Sequence, residues 1–507
     1  MRKIKLDRNT DVTNIEVIKY VLKQHKAEKT RIEKLRQYYN NQNDIMNRQY
    51  DDPKKPQNKL SNPYAAYITN SSVGYFLGKP VTYKSNDETL LEELNRVMKY
   101  NDEVDNNTTL AKYASIGGYS YELLYADEKA NPRFKALSAD EVAVVYDNTL
   151  EENYLFAIRY YNEKVIEEDK EVTKVEIYTD AVRNDLGEVI EQGKILYFIL
   201  DGDDLVSDPN NEDTFHYFGD VPVIAYDNND ERYGDFEKVK SLIDAYDKTQ
   251  SDSANDFEMF THAMLVVSGY VVDSEDANDI NNKYMINFQD ADGKAEYLIK
   301  NIQDSALENY KNRLNEDIHK FANVPNMSDE NFASNASGIA LKFKLMGLEN
   351  ITGIKESKFK KGLLRRIELI CNFLKIKSNT DYDFTEVEAI FTRNRPVNEV
   401  EVAGIMRDLT GILSEDTILA MHPGVTDINQ EKENRIKYIN LEKDLQQVVS
   451  QTMSRQTFIE KWQEKEDTEA YKELEQIALE RQLLEDSYDA IDTDYAEKDT
   501  EEVVVGE

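Results

Sequence analysis

Asn323-Val324-Pro325-Asn326-Met327-Ser328-Asp329-Glu330-Asn331-Phe332-Ala333-Ser334-Asn335-Ala336-Ser337-Gly338 is the stretch on which the fold turns. Pro325 has no backbone N–H, and its ring clashes with a preceding helical turn, so it stops a helix arriving from the N-terminal side. Small polar residues follow as far as Ser337-Gly338, where Gly338 permits a sharp backbone turn before a helix restarts. Upstream, Ser305 and Glu308 form a capping box, and Leu307, Tyr310, Leu314, Ile318 and Phe321 recur at helical spacing. Downstream, a helical pattern runs from 339 to about 376. The expectation is a loop of small polar side chains, residues 324–338, strung between two helices.

Further out, residues 235–267 contain neither Pro nor Gly and predict one helix, about 50 Å long at 1.5 Å per residue. Ser268-Gly269 ends it, and short strands and turns fill 268–303, among them Asp290-Ala291-Asp292-Gly293. Two helices thus flank an insertion that they can project away from the body. Before them, residues 118–225 read as strands: Tyr154, Phe156, Ile158 and Tyr160 alternate with Leu155, Ala157 and Arg159, and Ile195–Leu200 is an apolar run. The N-terminal part is helical. A helix over 13–40 is followed by a polar separator through Pro53 and Pro56, then by a helix begun by Asn62-Pro63, with Asn as N-cap, and ended at Gly78 as C′ residue before Pro80. Two more helices are predicted near 87–100 and 103–116, helices dominate 398–485, and 485–507 is an acidic tail predicted to be disordered. The fold class is α+β, and no internal repeat is present.

Charge narrows the function. Against 62 Lys+Arg stand 98 Asp+Glu, a formal charge of −36 in 507 residues, which excludes a broad basic surface gripping nucleic acid. Two readings of the acidity stand: simple solubility, or a surface that meets DNA without sticking to it. The one cysteine, Cys371 in a predicted helix, excludes an intrachain disulfide and a thiolate zinc cluster. The opening Met1–Asp7 has no signal-peptide core and the apolar runs are too short to span a bilayer, so the expectation is a protein of the reducing cytosol, or of a particle assembled there, without a membrane partner.

Catalytic motifs are wanting. Gly74-Tyr75-Phe76-Leu77-Gly78-Lys79-Pro80 imitates a phosphate loop, but its spacing is short and Pro80 stands where Ser or Thr would hold magnesium. His25, His216, His262, His319 and His422 are scattered, and the aspartates at 201–204 and 290–292 lack the distal Glu of a calcium loop. No cofactor, metal or catalytic residue is expected. One segment breaks the acidic trend: Lys342, Lys344, Lys355, Lys358, Lys360, Lys361, Arg365 and Arg366 lie in one helical region. This run reads either as a solvated or intersubunit face meeting acidic neighbours, or as a phosphate contact.

Several motifs in order carry a family resemblance. Asn58–Tyr64 and Ile68–Val81 resemble the N-terminal signature of the portal (head–tail connector) proteins of siphophages of Gram-positive hosts. Gly118–Tyr125 is similar to the start of that family's wing strands, Phe321–Asn350 is its most specific stretch, and Gly411–Ser414, Thr417 and Val425–Asp427 match further on. The resemblance covers about 15–480. It implies a wing over 1–234, stem helices 235–267 and 304–323, a clip at 268–303, a tunnel loop at 324–338, a returning wing helix and strand at 339–397 and a crown at 398–484.

The resemblance further implies a closed ring of about twelve copies around a double-stranded DNA channel, built by one repeated interface. Asn326, Ser328, Asn331, Asn335 and Ser337 would then line the channel, and Lys283, Asp290, Asp292 and Lys294 would lie on the partner-docking clip. The implied partners are the terminase large subunit, which supplies the ATPase, a head-completion adaptor, and the major capsid and scaffolding proteins. The implied location is the capsid portal vertex of the virion, reached from the host bacterial cytoplasm. Two other classes stay in view: an acidic cytosolic scaffold or adaptor, which imaging would show without a ring, and a metal-dependent hydrolase, which would turn over with magnesium or manganese.

Overall fold

A computed structural model describes the chain apart from residues 1–2, 53–54, 166–169, 185, 187, 203, 261–263, 269–293, 299–303, 328–337, 395–398, 423, 426–427, 450–457, 459–460 and 462–507. The chain divides into two units, Met1–Pro396 and Val397–Glu507.

The first unit begins with a short strand β1 (Ile4–Leu6) and helix α1 (Ile15–Tyr39). Asn14 caps α1 by accepting the Glu16 N–H, relieving one of the unpaired donors of a helix start. Helices α2 (Tyr64–Leu77), α3 (Glu88–Tyr100) and α4 (Glu103–Gly117) follow, with β2 (Thr82–Lys84) between the first two. Asp87 caps α3 through the Thr89 and Leu90 amides. The expected Asn62 cap of α2 is corrected: Pro63 holds the cap position, and the Asn62 side chain donates to Asp247 instead. The expected stop of α2 at Gly78 holds, but not as a left-handed residue: its φ is −66°, ordinary helical backbone, and what demands glycine there is crowding, since a Cβ would run into the Gly74 carbonyl oxygen and the Asn394 side chain.

The predicted strand block forms two main sheets and a separate two-stranded one, made by the small eighth and ninth strands. Strands β3 (Tyr119–Ala126), β4 (Pro132–Ser138), β5 (Val142–Asp147), β6 (Tyr154–Val165) and β7 (Lys170–Thr179) come first, then the small β8 (Val182–Arg183) and β9 (Val189–Glu191). Strands β10 (Lys194–Asp201), β11 (Asp204–Ser207), β12 (Thr214–Phe215) and β13 (Val223–Asp227) complete it. The larger sheet has the order β1-β5-β6-β7-β10-β11, with β12 also on β10; the smaller runs β13-β3-β4. All of these pairs are antiparallel except β1 with β5. Alternation in β6 and β7 sends Phe156, Ile158, Val175 and Ile177 to one face, where they bury against Ile18 and Val21 of α1. Gly118 turns α4 into β3 at φ +91° with Arg232 O so close that a Cβ would sit 1.9 Å from it, so glycine is obligatory.

The predicted helix 235–267 is shorter than expected. It is α5 (Lys240–Phe260), preceded by a 3-10 turn at Glu237–Val239, and about 30 Å long. Met264–Ser268 is instead strand β14, paired antiparallel with β15 (Lys294–Leu298) from Met264↔Leu298 to Ser268↔Lys294. Leu265-Val266-Val267 is an apolar run with two β-branched residues, which suits a pleated ribbon once the partner strand Lys294–Leu298 is supplied. Helix α6 (Asp304–Ala322) starts one residue before Ser305, which places Ser305 inside the first turn. Then come α7 (Gly338–Ser378), 41 residues long, and β16 (Glu388–Ile390), which returns to pair with β2. The C-terminal half of α7 is the centre of the largest core: Phe359, Leu363, Ile367, Ile370 and Leu374 pack on Phe76, Leu90, Leu94, Leu110 and Ile224. Full burial of each such side chain contributes about 1.5–3 kcal/mol.

The second unit contains α8 (Glu399–Leu409), α9 (Glu415–Met421) and α10 (Ile428–Val449). Ser414 caps α9 by accepting the Thr417 N–H, and Lys432 and Arg435 of α10 pair with Asp416 and Glu415. The acidic tail 485–507 lies outside the described residues.

Candidate functional site

Helix α5 is built into the body by a strap that the sequence presents only as a polar separator. Asp247, buried on α5, accepts from Asn43 Nδ2 at 2.6 Å and from Asn62 through both its amide, at 2.9 Å, and its side chain, at 2.8 Å. Burial raises the Asp247 carboxyl pKa, and these three donors oppose the shift. Along the same helix, Ser251 Oγ accepts the Leu60 N–H, Arg48 pairs with Asp252, and Asn255 accepts from Asn58. Asn43, Arg48, Asn58, Leu60 and Asn62 therefore form a ladder of contacts against α5. The only signal for it in the sequence is a density of Asn and Asp without helical or strand period. On the apolar side, Ile243 and Ile318 sit in one cluster with Leu35, Ile68 and Tyr75.

The ribbon β14–β15 lies between α5 and α6 in chain order, so whatever occupies 269–293 is carried on two paired strands. Lys294 is exposed at the tip end of that pairing. Lys283, Asp290 and Asp292 lie outside the described residues, as do Ser328, Asn331, Asn335 and Ser337.

The root of the segment 324–338 is described as far as Met327. Helix α6 ends at Asn323, which takes φ +56°, while the Val324 N–H returns to His319 O at 3.1 Å and the Asn323 N–H to Lys320 O. That is a Schellman-type ending with Asn in the left-handed position, so the stop precedes Pro325, which only forbids resumption. Val324 is buried in the same cluster as Ile318 and Leu345. Three backbone groups beyond it are held by side chains. His319 Nδ1 donates to Val324 O at 3.1 Å, Tyr67 Oη donates to Pro325 O at 2.9 Å, and the Met327 N–H donates to Tyr67 Oη at 3.0 Å. Tyr67 and His319 meet edge to face, 5.3 Å between centroids, and Tyr64 stands 6.0 Å from the same imidazole. Asn62, Tyr64, Tyr67, Asn315, His319 and Asn326 line a cavity of about 290 Å³ at this point.

Two of the eight basic residues on α7, Lys355 and Arg366, are turned inward, which corrects the expectation of a face for a second chain or for phosphate at those two positions. Arg366 is fully buried and grips Glu122 with two bonds, Nε at 2.8 Å and Nη2 at 2.7 Å, and also reaches Asn107 Oδ1 at 2.7 Å. Tyr226 and Asn106 donate to the same Glu122 carboxylate. Burial alone would lower the Arg366 pKa; Glu122 and its neighbours outweigh it and hold the guanidinium charged. Lys355 is buried between Ser72, Ser115 and Asp235. Arg365 pairs with Asp220 at 3.1 Å over the Tyr154 ring, Lys358 with Asp230, and Lys360 with Glu388 at 3.7 Å. Lys344 is half-buried, and Lys342 and Lys361 are exposed.

The histidines hold structure together where they are described. His25 Nε2 donates to Ala139 O at 2.9 Å and Nδ1 accepts from Tyr160 Oη at 2.7 Å; His216 Nε2 donates to Thr179 O. Cys371 is buried, which pushes its thiol up to about 12. Asp204 meets Lys19 across the β10–β11 turn. Among the described residues no three His, Cys, Asp or Glu side chains converge as a metal site, and no helix is long and apolar enough to cross a membrane.

A family model described as "Phage portal protein, SPP1 Gp6-like" matches residues 18–448, from within α1 almost to the end of α10. The chain belongs to this phage portal protein family. It is 26% identical over 431 residues to the portal protein of Bacillus phage SPP1, covering 84% of this chain and 83% of that one. It is 25% identical over 442 residues to the portal protein of Clostridium phage phiCD119, covering 82% of this chain and 94% of the other. The α+β architecture is that of the portal family, and the matched range spans the strap, the helix pair, the segment 324–338 and the long α7.

Proposed function

We propose that the chain is the repeating subunit of a closed portal ring at a phage capsid vertex, through which double-stranded DNA is packaged and later ejected. The single observation that carries this reading is the family match across 18–448, which includes both helices of the pair and the loop between α6 and α7. In this reading α5 and α6 are the stem, the ribbon β14–β15 and the residues it carries are the clip, and 324–338 is the tunnel loop. The clip, with Lys283, Asp290, Asp292 and Lys294, docks the terminase large subunit and then the head-completion adaptor. The major capsid and scaffolding proteins meet the ring during assembly in the host cytoplasm. The subunit itself turns over no substrate; the terminase supplies the energy.

Charge makes the reading physically coherent. With 98 acidic against 62 basic residues, and Lys355 and Arg366 of the α7 run consumed by internal carboxylates, DNA meets no deep electrostatic well and slides. Small side chains such as Asn326, Ser328, Asn331, Asn335 and Ser337 offer weak, exchangeable contacts. The test is Asn331→Arg in a packaging assay. Rings should assemble, as seen by imaging and by mass, while translocation slows at least severalfold and becomes steeply salt-dependent, because each copy adds a phosphate-neutralising charge. Normal packaging rate and length in that variant would remove 324–338 from the channel.

A further inference from the structure

We infer that Tyr67 is a positioning residue for the loop 324–338, a hydroxyl clamp that fixes its root over Pro325–Met327. The inference rests on the portal reading of that loop. Its argument starts from backbone accounting, since each carbonyl and N–H leaving a helix must find a partner. Beyond Asn323, no helix or strand is available to take the Val324 and Pro325 carbonyls or the Met327 N–H. One imidazole and one phenol take all three.

The Tyr67 hydroxyl is the only group of this set used twice, as donor to Pro325 O at 2.9 Å and acceptor from the Met327 N–H at 3.0 Å. A phenol can do both at once. It therefore closes a ring around Asn326 and fixes the chain direction over Pro325–Met327. Its ring is held in turn by the edge of His319, and His319 is held because its Nδ1 proton is committed to Val324 O. On the far side, Gly347 of α7 lets the Asn323 side chain approach so closely that a Cβ there would lie 3.3 Å from its Oδ1. Tyr67 sits on α2 between Tyr64 and the buried Ile68, so a pull on the loop is passed into the core rather than absorbed at the helix end.

The neighbouring Tyr64 supplies the control. It lies in the same cavity and against the same imidazole, but its hydroxyl donates to Asn315 at 2.7 Å and not to the loop. Tyr67→Phe keeps the ring and deletes both loop bonds; Tyr64→Phe deletes a hydroxyl of equal type that the loop does not use. The experiment is amide hydrogen exchange on assembled particles, paired with packaging rate. In Tyr67→Phe the Met327 amide should exchange about fivefold to tenfold faster, the yield expected for one net hydrogen bond, with ring mass and melting temperature unchanged and packaging slowed. Tyr64→Phe should leave both readouts as they are. Unchanged Met327 exchange in Tyr67→Phe overturns the clamp. Faster exchange with wild-type packaging overturns the positioning role, and if Asn331→Arg stalls in the same assay, the channel reading of the loop stands while the positioning role falls.

Discussion

The two ends of helix α7 carry the same kind of residue and face opposite worlds. Near its start, Lys342, Phe343 and Met346 are exposed, and only one side, Leu345 and Leu348, is buried. Toward its end, Leu363, Ile367, Leu369, Ile370 and Leu374 are buried nearly all round, and Arg366 is buried with them. Basic residues occur throughout, so the helix's own sequence does not say which charges meet water. What differs is supply: Glu122 from β3, backed by Asn106 and Tyr226, and Glu103 from α4, backed by Tyr83 and Asn107, meet the C-terminal half with prepared carboxylates. A charge goes inside only where the rest of the chain delivers a prepared counter-charge.

The comparison breaks most sharply at Arg366. Arg366→Leu leaves Glu122 buried and unpaired, and urea unfolding at fixed subunit concentration should show a loss of about 3–5 kcal/mol. Adding Glu122→Gln to the same chain should recover part of that loss, since no uncompensated charge is then left behind. A loss below 1 kcal/mol would mean that the pair is solvated and that the two ends of α7 do not differ as described.

His25 sharpens the rule for a base that has no buried counter-charge in direct contact. Burial lowers its pKa from 6.5 to about 4, against the smaller opposing effect of the Ala139 carbonyl, so the imidazole is neutral in the folded chain. The unfolded chain takes up this proton below about pH 6.5 and the folded chain resists until about 4. The stabilisation is therefore complete above pH 6.5 and shrinks as pH falls toward 4, by on the order of 2–3 kcal/mol. Unfolding measured at pH 7 and at pH 4.5 should show that slope in the native chain and a flatter one in His25→Gln. At the exposed end of α7 the expected effect is smallest: Lys342→Ala should change stability by no more than about 0.5 kcal/mol by the same urea assay.

Much of the fold was legible. The spans of α1 to α4 and the strand block follow from period and from caps such as Asn14 and Asp87, which act within a turn of their own position. The end of α6 was legible to within two residues, because Asn323 and Pro325 both oppose continuation. Three features were not. Leu265-Val266-Val267 is apolar enough for either helix or strand, and only the partner Lys294–Leu298 selects the strand. Gly78 looks like a left-handed helix end and is needed for contact with Asn394. Tyr67 is one tyrosine among 32, and nothing near it in the chain marks it as the holder of a loop that lies more than 250 residues away.

By itself the sequence determined most of the helix and strand segments, Met264–Ser268 excepted, the acidic balance, the want of a catalytic motif, and the order of motifs by which the portal family is recognised. These depend on neighbours a few residues apart or on simple sums, and both are written in the chain directly. Tertiary structure alone decided which cations are spent internally, that 41–62 is a strap on α5, and that the loop root is clamped by a phenol and an imidazole. Each of these is a pairing of groups distant in sequence, and its energy depends on burial and on geometry within tenths of an ångström. Those are quantities that a residue acquires only from what packs around it.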